Sequence, residues 1–284
     1  MIVITGATGE LGKIVVDGLL QLVPANQIIA AVRTPGKAET LATKGVQVRE
    51  ADYSRPETLA TAFVGASKLL LISSSELGQR EAQHKAVIDA AKAAGVGFLA
   101  YTSLLHADTS KLLLAEEHLA TEQYLRASGV PFVMLRNGWY FENQTAGIAP
   151  ALQQGAFIGG SKEGRFAAAT RADYAAAAIA VLTGPGHENQ TYELAGDDAY
   201  TRAELAAEVS KQTGKIIAYH DLPEAEYEKI LASFLPPELA RLLADAEAMA
   251  AVGALDDQSH TLSRLIGRRT TSLADAVAAA LKAF

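Results

Sequence analysis

Residues 3–12 read Val3-Ile4-Thr5-Gly6-Ala7-Thr8-Gly9-Glu10-Leu11-Gly12: a short apolar strand pattern, three glycines spaced Gly-x-x-Gly-x-x-Gly, and the start of a helical pattern. Glycines at such a junction permit a tight strand-to-helix turn. They also let backbone amides approach a pyrophosphate at the helix N-terminus, where the dipole favours an anion. The residues expected to form this cradle are Gly6, Thr8, Gly9, Glu10, Leu11 and Gly12. A P-loop is the nearest competitor, since Gly12-Lys13 is present. It would need glycine at position 7 and Ser or Thr at position 14, where the chain has Ala7 and Ile14.

Outward from this turn, short β-branched or apolar runs recur at 28–33, 46–50, 68–73, 98–102 and 132–136, following the first at 2–5. Helical spacing fills the intervals: Leu11, Val15, Leu19 and Leu22, at steps of four, four and three, predict one buried helix face. Continuously apolar strands such as Leu69-Leu70-Leu71-Ile72 imply burial on both sides. The expected fold is therefore α/β, a doubly wound parallel sheet with a smaller, interleaved α+β substrate lobe towards the C-terminus. Residues 1–136 form the nucleotide-binding part, completed by a helix and strand within 171–195, and residues 137–170 and 196–284 form the lobe. Asn137-Gly138-Trp139-Tyr140-Phe141-Glu142-Asn143 reads as neither strand nor helix, and as the rim of a site. Thr201 with Glu204, and Ser272 with Asp275, have capping-box spacing.

Composition narrows the function. The 284 residues are 49% hydrophobic and 20% charged, enough to form a large core and inconsistent with disorder. With 25 Lys+Arg against 32 Asp+Glu, the net charge of -7 repels phosphate backbones, so neither nucleic acid nor an anionic membrane is an expected partner. No cysteine is present, which removes thiolate nucleophiles and thiolate metal sites and suits a reducing cytosol. The six histidines show no compact metal-ligand spacing. Met1–Gly6 lacks a basic leader pattern, and a cytoplasmic location is expected. Oligomeric state is not legible; a homodimer is the commonest default.

Arg33 lies 21 positions beyond Gly12, where a dinucleotide site selective for NAD usually has a carboxylate. A guanidinium there clamps a 2′-phosphate, so NADP(H) is the expected cofactor. Lys37 either adds charge or is a solvated helix-start lysine. Asp52 and Tyr53 either meet adenine or form a plain loop with a half-buried ring. Ser73, Ser74 and Ser75 end a strand and either leave room for a dinucleotide to pass or form a plain loop. Thr102 ends the next strand, on the sheet edge where such folds bind ligands.

None of the nine tyrosines has lysine four residues on, so the Tyr-x-x-x-Lys proton-donor pair is absent. The segments 3–12, 69–78 (LLLISSSELG), 100–110 (AYTSLLHADTS), 135–142 and 168–178 resemble the NmrA-like branch of the atypical short-chain dehydrogenases. The resemblance implies a Rossmann domain binding NADPH, hydride transfer without flavin or metal, and a small variable lobe. The acceptor it implies is a quinone or similar conjugated molecule, with triphenylmethane dye reduction and non-catalytic NADP(H) redox sensing as alternatives. Relatives often carry an active lysine four residues before a glutamate; His118 and Glu122 occupy that spacing here. His118 then either serves the acceptor or is a helix histidine paired with Glu122. Asn137 and Tyr140 are the other candidates to face the acceptor; Trp139, Phe141 and Asn143 either add an aromatic and amide wall or form a packed corner between the lobes, with Trp139 as a core anchor. Asp173 fits a structural buried acid, and His106 reads as a loop histidine or a second proton donor.

Overall fold

The computed structural model describes residues 1–282. Its strands are β1 (Ile2–Thr5), β2 (Ile28–Val32), β3 (Gln47–Glu50), β4 (Lys68–Leu71), β5 (Phe98–Leu104), β6 (Phe132–Asn137), β7 (Ala156–Gly159), β8 (Arg165–Phe166), β9 (Gln190–Leu194), β10 (Tyr200–Thr201) and β11 (Ala218–Asp221). Helices used below are α1 (Glu10–Leu19), α2 (Glu39–Ala42), α3 (Pro56–Ala62), α4 (Arg80–Ala93), α5 (Ala115–Ser128), α6 (Phe141–Thr145), α7 (Ile148–Gln154), α8 (Arg171–Thr183), α9 (Arg202–Thr213), α10 (Glu224–Leu231) and α11 (Pro237–Ala250). Seven strands form one sheet in the order β3-β2-β1-β4-β5-β6-β9. The pairings are parallel, with Ile2 opposite both Ile28 and Lys68. At the edge, Asn189 N donates to Phe132 O at 2.5 Å and Gly138 N to Leu194 O at 2.8 Å, so β9 runs alongside β6 in the same direction.

The chain divides into two units. The first comprises Met1–Ala107, Glu117–Asn137 and Arg171–Tyr192. Val3, Ile29, Leu69, Leu71, Leu99 and Met134 share one core with Leu59, Phe63, Val87, Ile88 and Leu125 of α3, α4 and α5. The alternate strand residues, Ile4, Ala30, Leu70 and Ala100, are equally buried and point the other way, towards α1 and α8. That two-sided burial is why the strands read as unbroken apolar runs. Helices α1 and α8 pack closely at Gly18, where a Cβ would sit 2.3 Å from the tip of the Ile179 side chain, Cδ1.

A buried polar web ties α4 and α5 to the sheet. Glu122 accepts from Ser103 Oγ at 2.6 Å, and from Arg136 Nε at 2.8 Å and Nη2 at 2.7 Å. His84 Nε2 accepts the Ser74 amide at 2.9 Å, which places the ring proton on Nδ1, 3.0 Å from Thr121 Oγ1; Thr121 then donates to Glu117 O. His118 Nδ1 lies 2.7 Å from the Tyr101 hydroxyl. Burial, reinforced by the Arg80 charge, lowers His84 to about 3 and holds His118 well below the usual imidazole range.

The second unit contains Asp108–Glu116, Gly138–Thr170 and the chain from Glu193. Here β7 pairs in parallel with β11, and β8 antiparallel with β10. Tyr227, Leu231, Ala240 and Ala244 form the α10–α11 core. Arg202 Nε donates to the buried Glu247 carboxylate at 2.9 Å. The Thr201 capping box is complete, and Ser272 caps its helix through the Asp275 amide.

Three expectations need correction. Leu22 is not on the α1 face: the helix ends at Leu19, Leu22 N folds back to Leu19 O at 2.9 Å, and the side chain is 62% exposed. The stretch 137–143 is not irregular, because Asn137 closes β6 and Phe141 opens α6. Residues 108–116 belong with the second unit, where the Asp245 carboxylate of α11 holds Leu113 N at 2.9 Å. No helix among the described residues is long and apolar enough to cross a membrane.

Two expected outcomes follow. A Cβ on Gly12 would meet Gly6 O at 2.3 Å, rigid backbone, whereas the one on Gly18 meets a movable side-chain end. Gly12→Ala should therefore cost roughly 1–3 kcal/mol of stability, and Gly18→Ala should stay near neutral as helix propensity offsets the repacking. Urea unfolding of both variants checks the contrast; equal losses would contradict it. Because their folded pKa values are depressed, His84 and His118 contribute stability that is whole above about pH 6.5, the unfolded value, and is lost as pH falls towards the folded ones. At pH 5 the loss from His84 should be about 2 kcal/mol, with a further loss of the same sign from His118. Urea midpoints from pH 7.5 to 5 should fall, more gently in His84→Gln, and a flat profile would refute this reading.

Candidate active site

The site starts at the end of β1. Gly6 takes φ +59°, a left-handed conformation that side chains resist, and Gly9 N closes the turn on Gly6 O at 2.9 Å. Gly9 is the N-cap of α1, and no side chain caps the helix start. Gly12 is buried under the turn and permits close packing. Thr5 closes the sheet beneath: its hydroxyl donates to Leu70 O at 3.0 Å and accepts from Ile72 N at 3.0 Å. The Tyr53 hydroxyl rests 2.5 Å from Thr5 Oγ1 and 3.0 Å from Ile72 O, and burial raises its pKa.

Above this edge lies a cavity of about 370 Å³, lined by Gly6, Thr8, Gly9, Arg33, Thr34, Lys37, Ala51, Asp52, Tyr53, Ile72, Ser73, Ser74, Ser75, Glu76 and Gln83. It sits over the carboxyl ends of β1, β2 and β4, where doubly wound sheets take ligands. Two cations, Arg33 and Lys37, stand on the β2 side. The Arg33 guanidinium forms an ion pair with Glu76. Asp52 Oδ1 accepts from Ser54 N at 2.9 Å, a turn bond that leaves the residue on the cavity wall. The loop after β4 is fixed from below: Ser73 N donates to Thr102 Oγ1 at 2.9 Å, and Arg80 Nε to Ser74 O at 2.8 Å.

The cavity thus brings together nine of the expected residues: Gly6, Thr8, Gly9, Arg33, Asp52, Tyr53, Ser73, Ser74 and Ser75. Glu10, Leu11, Gly12 and Thr102 are not on its wall: Glu10 is exposed in the first turn of α1, Leu11 is core, and Thr102 acts through Ser73. His118 does not pair with Glu122, whose oxygens go to Ser103 and Arg136. Its ring is buried and neutral against Tyr101, so it holds no ready proton for an acceptor. Asn137 ends β6 at 5% exposure, its carbonyl accepting Leu105 N. Tyr140 is half-buried and precedes α6 in the second unit. Asp173 is fully buried in the first turn of α8. Glu76 and Gln83 were not foreseen, since a loop glutamate and a helix glutamine carry no motif; only their position after β4 could have hinted at them.

The arrangement fits a dinucleotide phosphate. Side-chain-free backbone lines the turn at Gly6 and Gly9, where a Cβ at Gly9 would already sit 3.1 Å from Gly6 O, and the cationic pair at the end of β2 suits a further phosphate.

Known proteins point the same way. The Escherichia coli protein quinone oxidoreductase 2 is 56% identical over 278 residues, covering 98% of this chain and 97% of its own. The solved structure of that NADPH-dependent enzyme with NADPH superposes at a TM-score of 0.97, with 54% identity and 99% of this chain and 100% of that one covered. The Citrobacter sp. triphenylmethane reductase complexed with NADP(H) superposes at 0.95, with 39% identity over 99% of this chain and 100% of that one. The sequence pattern of the NmrA-like family matches residues 1–275, and the chain belongs to that family.

Proposed function

We propose that this chain is an NADPH-dependent reductase that transfers hydride to quinones or similar conjugated acceptors. The observation that carries the reading is the glycine-turn cavity with Arg33 and Lys37 at the β2 end, in a chain 56% identical to a quinone oxidoreductase. NADPH, when bound, supplies the hydride. The protein's part is to hold and orient. The turn at Gly6 and Gly9 presents amides to the pyrophosphate, Arg33 and Lys37 take the 2′-phosphate, and Ser73–Ser75 leave room for the chain of the dinucleotide.

Little acid–base machinery is demanded. A conjugated acceptor that gains hydride becomes a delocalised, phenolate-like anion, so positioning outweighs strong proton donation. That agrees with His118 being locked in the interior. We assign the acceptor side to Asn137 at the end of β6 and to Tyr140 before α6, each as a hydrogen-bonding group. A chain without cysteine suits a cytoplasmic setting. Reduction of triphenylmethane dyes is a second reading, favoured by the 0.95 superposition on the Citrobacter enzyme.

NADPH oxidation with a panel of small benzoquinones and triphenylmethane dyes tests the function. Turnover with quinones well above the uncatalysed rate is expected, and none with any acceptor would refute it. Cofactor choice has its own test. Arg33→Asp replaces a charge-assisted phosphate contact by a repulsion, so NADPH affinity should fall about 30–100-fold while NADH affinity changes no more than about threefold. Equal losses for both, measured by fluorescence titration, would show that Arg33 does not read the phosphate.

A further inference from the structure

The sequence places no carboxylate beside Arg33, yet the fold brings one. Glu76, 43 positions later in the loop after β4, accepts from the Arg33 guanidinium. In the sheet, β1 lies between β2 and β4, so a bridge from the end of β2 to the loop after β4 passes over the Gly6–Gly9 turn. Both partners line the cavity there.

Glu76 is held in place from its own side. Its amide donates to Ser74 Oγ at 3.1 Å, and its Oε2 accepts from Gln83 Nε2 at 2.7 Å. Gln83 is only 6% exposed, and the same Nε2 lies 3.2 Å from Ser54 Oγ, which limits its rotation. Ser74 is fixed in turn by the His84 ring and by Arg80. With Oε2 committed to Gln83, Oε1 is left for Arg33. The movable member of the pair is the arginine, whose side chain is 68% exposed.

We propose that Glu76 moderates the affinity for a 2′-phosphate as a built-in rival anion: it occupies the Arg33 guanidinium in the free protein, and a ligand carrying a 2′-phosphate must displace it, whereas one without the phosphate need not. This rests on the reading of the cavity as the NADP(H) site. A 2′-phosphate brings more negative charge than a carboxylate and three acceptor oxygens, and can draw on Lys37 as well. A 2′-hydroxyl brings no charge and leaves Arg33 with Glu76. The pair is solvent-exposed on both sides, so its effect is modest: about two- to fivefold in affinity.

The test is isothermal titration of the full chain with 2′,5′-ADP and with 5′-ADP, which differ only in the group at issue. Glu76→Gln keeps a partner for Gln83 and removes the charge, so it should tighten 2′,5′-ADP about two- to fivefold and change 5′-ADP less than twofold. Glu76→Ala should move the same way. Weaker 2′,5′-ADP binding in both variants would overturn the proposal, since Glu76 would then be pre-positioning Arg33 for the phosphate. Equal changes for the two probes would also overturn it, by reducing Glu76 to a general support of the loop. A wild-type chain that binds neither 2′,5′-ADP nor NADPH would sink the cavity reading itself along with the proposal.

Discussion

The nucleotide-binding unit depends on the packing of Gly12 beneath the backbone of Gly6. With 2.3 Å between the Gly6 carbonyl oxygen and the place a Cβ of Gly12 would occupy, helix α1 can sit under its own entry turn only because Gly12 has no side chain, while Gly6 supplies the left-handed φ of the turn. That seat aims the start of α1 at the end of β1, and the cavity floor is built on it. The Thr5 hydroxyl depends on the same geometry. It stands in for a backbone group where the β1–β4 pairing ends, and it gives the Tyr53 ring a fixed rest. A floor made of backbone and one hydroxyl costs little to keep rigid and leaves no bulk in the path of a dinucleotide.

Polar groups behind the floor serve a different purpose. Glu122 of α5 with Arg136 of β6, and His84 of α4 with the Ser74 amide after β4 and Thr121 of α5, tie the helices to the ends of the strands, where apolar packing alone would not specify a position. Each is satisfied, which keeps the cost of burying charge and dipole tolerable and fixes one arrangement. The Ser73–Glu76 loop inherits that rigidity through Thr102, His84 and Arg80. His84 and His118 are thereby made structural and neutral. On the proposed function, chemistry in this unit falls to the dinucleotide, and discrimination between cofactors to the exposed charges lining the cavity.

Much of this was legible in residue order. Periodicity of two or 3.6 depends only on local sequence, so all six strands of the alternating region and the later helix and strand lie where their patterns predict, within a residue or two at most ends. The glycine spacing carries its meaning through backbone sterics, which neighbours in space do not erase. The failures share a cause as well. Leu22 continues the spacing of α1, but the helix ends before it, ahead of Pro24. Aromatic residues at 139–141 hide the strand end and helix start that flank them.

Sequence by itself therefore determined the class of fold, the glycine turn that opens α1, and the place of a cation, Arg33, at the end of β2. Tertiary structure alone decided the partners of the charged and titratable groups. Glu122 chose Arg136 from the next strand over a histidine one turn away, and Arg33 found Glu76 across the intervening strand. The reason is physical: strand and helix patterns are set by bonds along the chain, whereas an ion pair or a buried ring is chosen by what packing brings within about 3 Å, whatever its distance in sequence.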